Sequence, residues 1–371
     1  MGRTVRSFVR CFACSAWLAA ACGPAPVATP DAGQDGADVQ DTAPDTGPAA
    51  ADVTVGVQRW AVYTVGAGET LRAVAPLTAK PGSYLVVGDG ARAWVLGQTQ
   101  FADASPAGIG KSNLRAAWTS PTGTVYVAGE GSALLHRDDK GWEVRGEVPP
   151  SPAVNFAGVG GADDKEVWAV GAGSAAWRYD GTVWAPHVVS PTTIEGGGTF
   201  PALADFTCVA AGGQGDTWIG AVAQAGSGAF VLHGDGKGWK AWPVEARPAQ
   251  LWVMPGPGGA RKVFAVGGSV EHWVAVSDGG AFTRFTQEDV KWGLRFLSVA
   301  GAGAAVWAGG SKGQLRKWTA GAWTVELIKE PPGTPEKLTP SEDLLGLAVH
   351  DENERLVLTA TKAYRWGKQA P

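Results

Sequence analysis

Cysteine is scarce in this chain. Of the four, Cys11 and Cys14 fall in an apolar N-terminal stretch, Cys22 ends it, and Cys208 stands alone in everything that follows. A lone cysteine in a run of small strand residues cannot form an internal disulfide, so Cys208 reads as a buried, inert thiol and the core has to supply the stability. Histidine is equally thin. His136 and His233 share one repeat position while His187, His272 and His350 do not, which gives no paired-histidine or cysteine-cluster spacing. No metal and no cofactor is expected. Phosphate loops and nucleophile elbows are also missing, because no glycine-rich stretch leads into a helix whose amides could hold an anion. Lysine and arginine are absent between Arg10 and Arg59, and losing Arg3, Arg6 and Arg10 with residues 1–21 takes the net charge from -4 to -7. Nucleic acid is therefore not an expected partner.

What the chain does have is repetition. Seven aromatic residues, Trp60, Phe101, Trp142, Trp184, Trp239, Phe282 and Trp323, follow one another at steps of 41, 41, 42, 55, 43 and 41. A period of about forty residues marks one supersecondary unit copied in tandem, and a unit that small cannot bury its own apolar face. EVWAVGAGSAAWRYDGTVW at 166–184 and AVWAGGSKGQLRKWTAGAW at 305–323 each read strand, glycine turn, strand, glycine turn, strand. Further short runs of small and apolar residues, such as LRAVAPL at 71 and FLSVAGA at 296, precede each unit, which makes four strands per repeat. Aspartates four residues ahead of the marker aromatic, at Asp138, Asp180, Asp235 and Asp278, mark tight structural turns.

Four-stranded repeats of this length build a β-propeller. The last repeat stops one strand short, and the missing outer strand with its aromatic is VQRWAVYTV around Trp60. The expectation is an all-β, seven-bladed propeller over residues 53–371, closed by an N-terminal strand that completes the last blade and leaves no open sheet edge. Most of the 18 tryptophans occupy recurring strand positions and read as packing between blades; Trp242 and Trp292 are the exceptions.

Residues 1–21 combine a basic start, the apolar core CFACSAWLAAA and small residues before Cys22, the pattern of an export signal too short to cross a membrane as a helix. LAAAC-G is similar to the bacterial lipoprotein signal, with Leu18 four residues before the cysteine, and implies lipidation at Cys22; cleavage of an ordinary signal after Ala19–Ala21 is the alternative. Residues 22–52, rich in Ala, Pro, Asp and Gly, cannot bury enough surface to fold and read as a flexible acidic spacer. An exported protein is expected, anchored at the outer membrane or cell surface through lipid alone, or otherwise periplasmic or secreted.

From 53 to 371 the repeats resemble the BNR or Asp-box β-propellers and those related to the photosystem II assembly factor, on the pattern VWAVGAG at 167, RYDGTVW at 178 and HGDGKGW at 233. The Asp-box serine or threonine is replaced by His136, Arg178, His233 and Val276, so the resemblance lies in the repeat. Sialidases of this kind grip a carboxylate with three arginines. Arg72 and Arg115 occupy matching positions in adjacent repeats and form a possible channel anion site, with a solvated or ion-paired arginine pair as the other reading.

The remaining candidates lie in the long connections between blades, which a four-stranded blade places on one face: Lys111, Asn113, His187, Glu195, Glu288, Lys291, Trp292 and Lys329. The functional expectation is a non-catalytic, monomeric binding scaffold whose loop face takes a protein or a surface polysaccharide. The alternative is a secreted carbohydrate-active or ester-cleaving hydrolase with its site at the channel mouth.

Overall fold

The computed structural model describes residues 58–143, 153–225, 228–256, 259–268, 273–285, 295–328 and 341–368. The signal, Cys22 and the spacer lie outside the described residues. Seven sheets follow one another along the chain, each running outward from its innermost strand, apart from one edge strand in the fourth and the closing strand of the seventh, and every pairing but that of the edge strand in the fourth is antiparallel. These inner strands are Leu71–Pro76, Leu114–Thr119, Phe156–Asp163, Ala204–Gly213, Pro248–Pro255, Phe296–Ala302 and Gly346–Asp351. Each packs beside the next, and the seventh packs beside the first, so the ring is a closed seven-bladed propeller. Chain order puts the outer-to-inner connections and the second-to-third turns on one face, where inner strands begin. The other two turns of each blade lie on the opposite face. These are the entry and exit faces.

The second strands explain the continuous apolar runs of the sequence. Tyr84–Gly88 and Val125–Gly129 are buried at every residue. Alternate side chains leave such a strand on opposite faces, and both faces are covered: Tyr84 and Val86 pack toward the seventh blade while Leu85 and Val87 pack toward the second. One apolar cluster fills each of the seven blade interfaces, and the marker aromatics Trp60, Phe101, Trp142, Trp184, Trp239, Phe282 and Trp323 all join these clusters.

Two small devices recur. In the first, second, third and fifth blades the glycine ending the second strand sits so close to the residue before the inner strand that a Cβ on Gly88, Gly129, Gly171 or Gly267 would collide with the carbonyl oxygen of Thr70, Asn113, Asn155 or Arg247. A polar side chain at or just ahead of four of the inner strands then accepts a turn amide from the preceding blade: Gly90 to Asn113 Oδ1 (2.9 Å), Gly131 to Asn155 Oδ1 (3.1 Å), Gly173 to Asp205 Oδ1 (2.9 Å) and Lys312 to Asp343 Oδ1 (3.3 Å). The turn aspartates act through their side chains as well as through the glycine that follows. Asp180 Oδ1 accepts the Thr182 and Val183 amides and Asp235 Oδ1 those of Lys237 and Gly238.

The fourth blade has one strand more than the repeat predicts. Residues Thr193–Ile194 pair in parallel with Lys240–Ala241 on its outer edge, which accounts for the 55-residue step as an insertion laid along that blade.

Closure is made by Gln58–Thr64, antiparallel to Lys362–Lys368 over all seven residues. Arg355, 4% exposed, lies 5.1–5.3 Å from the ring centres of Trp60, Trp307 and Trp366 and forms an ion pair with Glu326. Trp60 Nε1 donates to the Leu327 carbonyl (3.2 Å). One guanidinium thus touches the N-terminal strand, the C-terminal strand and the sixth blade, and burial pushes its pKa down to about 10. Cation–aromatic contacts are strongest when desolvated in this way. Trp60→Ala is expected to lower the unfolding free energy by about 3–5 kcal/mol, read as a lower midpoint in urea; a midpoint equal to wild type would mean that the N-terminal strand does not close the ring.

Candidate functional site

The seven inner strands enclose a channel with two unequal ends. Toward the exit face it widens into a cavity of about 380 Å³, walled by residues such as Val74, Ala117, Val209, Val299 and Leu347, with Trp118 and Trp252 at its side. Its polar groups are the hydroxyls of Thr78, Thr119 and Ser120 and the Gln250 amide. Thr119 Oγ1 donates to the Pro76 carbonyl and Gln250 Oε1 accepts the Val299 amide. Among the described residues, none that lines this cavity is titratable.

The entry end narrows to about 130 Å³, and Arg72 and Arg115 meet there. Each is gripped by a carboxylate from the second-to-third turn of its own blade. Arg72 Nε and Nη2 donate to Asp89 Oδ1 (2.9 Å) and Oδ2 (2.6 Å), and Arg115 donates through Nε and Nη2 to Glu130 Oε1. The Arg72 guanidinium holds the Asp89 carboxyl below its usual range. An incoming carboxylate would have to displace these partners.

The loop candidates separate in space. Lys111 is exposed in the turn before the second blade, whereas Asn113 is a clip between blades: it accepts the Gly90 amide and donates through Nδ2 to Glu130 Oε2 (2.8 Å). Glu195 is exposed at the end of the added strand, where its amide donates to the Ala241 carbonyl (2.9 Å). Glu288, Lys291, Trp292 and Lys329 lie outside the described residues. Trp242 is buried between the fourth and fifth blades against Trp218.

His187 leads to a site that sequence reasoning missed. Its amide extends the outer strand of the third blade by donating to the Ala176 carbonyl (2.8 Å), and its ring stands edge-on to Trp168 at 4.7 Å. Desolvation, helped by the nearby Arg178 charge, lowers the His187 pKa and favours the neutral ring. This ring, Trp168 and Trp239 floor a cleft of about 430 Å³ between the third and fourth blades, rimmed by Glu166, Arg178, Thr217 and Lys237.

A second cleft, of about 460 Å³, lies between the fourth and fifth blades. Asp216 is its hub, accepting from Trp218 Nε1 (2.8 Å) and Arg261 Nε (3.0 Å) and meeting His233 Nε2 at 2.9 Å, with the His233 ring stacked on Trp218 at 4.0 Å. Burial alone would raise the Asp216 pKa, but His233, Trp218 and Arg261 together hold it below the usual value. Among the described residues no group of three or more His, Cys, Asp or Glu is placed to hold a metal. Cys208 is buried between the same two blades, and burial pushes its thiol up to about 11.

No family model matches this sequence. A curated relative, the immune protein Tsi7 of Pseudomonas aeruginosa, is 27% identical over 163 residues, 42% of this chain and 48% of that protein. The chain thus spans about half the length of the curated relative it matches. Among solved structures, YCF48 from Cyanidioschyzon merolae has a TM-score of 0.59 at 12% identity, covering 83% of this chain and 98% of that one. YCF48 bound to D1 peptide gives 0.57 at 13% identity, with 83% and 96% covered. Virginiamycin B lyase from Staphylococcus aureus gives 0.58 at 11%, with 84% and 99% covered. At such identities the likeness is one of fold, and it agrees with the resemblance of the repeats to the propellers related to the photosystem II assembly factor.

The depressed Asp216 pKa sets the sign of a pH effect. The stabilisation is present above the unfolded carboxyl value and is lost as pH falls through the lower folded value. Asp216→Asn is therefore expected to destabilise the protein near neutrality and to flatten the acid side of its stability profile, measured by urea unfolding between about pH 3 and 7. An acid limb as steep as that of wild type would assign the effect to other carboxylates.

Proposed function

We propose that this chain is a non-catalytic propeller that binds a segment of another protein, exported and held at a membrane surface through a lipid on Cys22. The observation that carries the binding reading is the exit-face cavity. Its apolar walls, two tryptophans and few hydroxyl and amide groups suit the burial of an apolar side chain brought in by a partner. General acid–base chemistry needs titratable groups within reach of a bound substrate, whereas the described lining offers hydrophobic surface and hydrogen bonds. The arginines at the other end support the same reading, because their turn carboxylates already engage them.

One comparison lends support of a general kind. YCF48 is a propeller of similar fold solved with a D1 peptide, which points toward a partner that is itself a protein. Export and anchoring rest on the basic start, the apolar core and the small residues before Cys22, with the acidic spacer as the tether.

Two experiments bear on the two halves of this reading. Intact mass of the protein from the membrane fraction of its native host should show a diacyl or triacyl addition at Cys22 that disappears in Cys22→Ala. An unmodified soluble chain starting near Ala21 or Cys22 would remove the anchor and favour a secreted hydrolase. For the cavity, Ala211 lies on its wall in no core cluster, and Ala211→Trp should fill it. Proteins retained from a host extract by wild type should be lost with Ala211→Trp at an unchanged unfolding midpoint; equal retention by both would move the binding surface elsewhere.

A further inference from the structure

The cleft between the third and fourth blades contains polar groups whose bonding is incomplete. Thr217 lines the cleft at 2% exposure, and its Oγ1 has no hydrogen-bond partner. A buried hydroxyl left unsatisfied is costly, and an acceptor entering the cleft recovers that cost. Arg178 presents a similar vacancy. Its Nε is shielded from solvent and unpartnered, and its Nη2 stands 3.6 Å from Glu166 Oε2, too long for a hydrogen bond.

Glu166 is ion-paired with Arg178 through that contact but does not depend on it alone. Both its oxygens accept the Gly215 amide (3.2 and 3.0 Å), and Oε1 also meets Trp168 Nε1 at 3.4 Å. The Arg178 fork is instead propped over the Trp168 ring, 5.9 Å from its centre. Lys237 adds a second positive charge at the rim, while Asp235 of the same turn is occupied in capping backbone amides. Arg178 and Lys237 against Glu166 leave the cleft with a surplus of positive charge, and the orphaned donors all call for an acceptor.

We infer that this cleft is a carboxylate subsite, in which an Asp or Glu side chain of the bound protein segment bridges the Arg178 guanidinium and the Thr217 hydroxyl. The inference rests on the protein-binding reading above and adds to it a specific demand on the partner. The aromatic floor favours a slender side chain over a sugar ring. Trp168 and Trp239 are only 4% and 9% exposed, and the Trp168 ring is already covered by His187, Arg178 and Trp239, so no flat aromatic face is open for stacking. A planar two-oxygen acceptor matches the arginine fork.

The test is a nitrogen-15 NMR titration of the full chain with N-acetyl-glutamate amide and its glutamine counterpart at equal ionic strength. The glutamate probe is expected to shift the Lys237 and Gly238 amides and the Arg178 Nε–H signal saturably, and the glutamine probe to bind about tenfold more weakly. Arg178→Gln should abolish the response, and Thr217→Val should weaken it several-fold at an unfolding midpoint no lower than that of wild type. Equal responses to the two probes, a full response in Arg178→Gln, or tighter binding of galacturonate or inorganic phosphate than of the glutamate probe would overturn the carboxylate subsite. Protein retention is measured in parallel. Retention by wild type with no probe response overturns the subsite alone, and a probe response without retention overturns the protein-binding reading alone.

Discussion

Every blade of this propeller depends on its neighbours, because its second strand is buried on both sides. Tyr84 and Val86 face one blade and Leu85 and Val87 face another, so no blade has a solvent face on which to stand alone. The stability therefore resides in the seven interfaces, each filled by apolar side chains from two blades. A ring of this kind should lose its blades together once one interface opens, unlike an open solenoid, which can fray from its ends.

The same dependence explains where side chains of different chemistry come together. The glycines that end several second strands let the backbones close up on the entry face, and in four blades an asparagine or aspartate clip ties the turn to the next blade. On the exit face the outer parts of the sheets diverge, and clefts open between them. The third blade contributes Arg178 and Glu166 to one such cleft, and the fourth contributes Thr217 and Lys237. Across the next interface Asp216 of the fourth blade meets Arg261 of the fifth. Function on this scaffold belongs to pairs of blades, and a single repeat carries only half of a site.

That is also why the fold was more legible in the sequence than the site. Seven marker aromatics and seven small-residue runs were enough to count the blades, and the unmatched strand around Trp60 was enough to close them. Arg72 and Arg115, at matching positions in adjacent repeats, line one narrow pocket at the entry end. Their partners were not legible, since Asp89 and Glu130 look like ordinary turn residues until the turn geometry aims them inward. His187 stood out as a polar residue in a long connection, but nothing local marks Thr217, a threonine within TWIGA, as lining the same cleft. The 55-residue step announced an insertion without revealing that Thr193 and Ile194 would pair in parallel with the fourth blade. Such neighbours are separated by tens of residues and are set by the curvature of the ring, a property that no single repeat spells out.

The closing strand has a consequence in time. Gln58–Thr64 pairs with Lys362–Lys368, about as far apart in the sequence as two described strands can be. A chain made from its N-terminus delivers this strand before every other described strand and its partner after them, with six blades in between. Until the final strands arrive, Trp60 has no Arg355 to cover it, and a strand unpaired on both edges waits in the company of other incomplete chains. Contacts of such long sequence separation form slowly. The interval before closure is thus when this protein is most exposed to exchanging strands with another copy of itself, and the speed of delivery of its last blade governs how long that interval lasts.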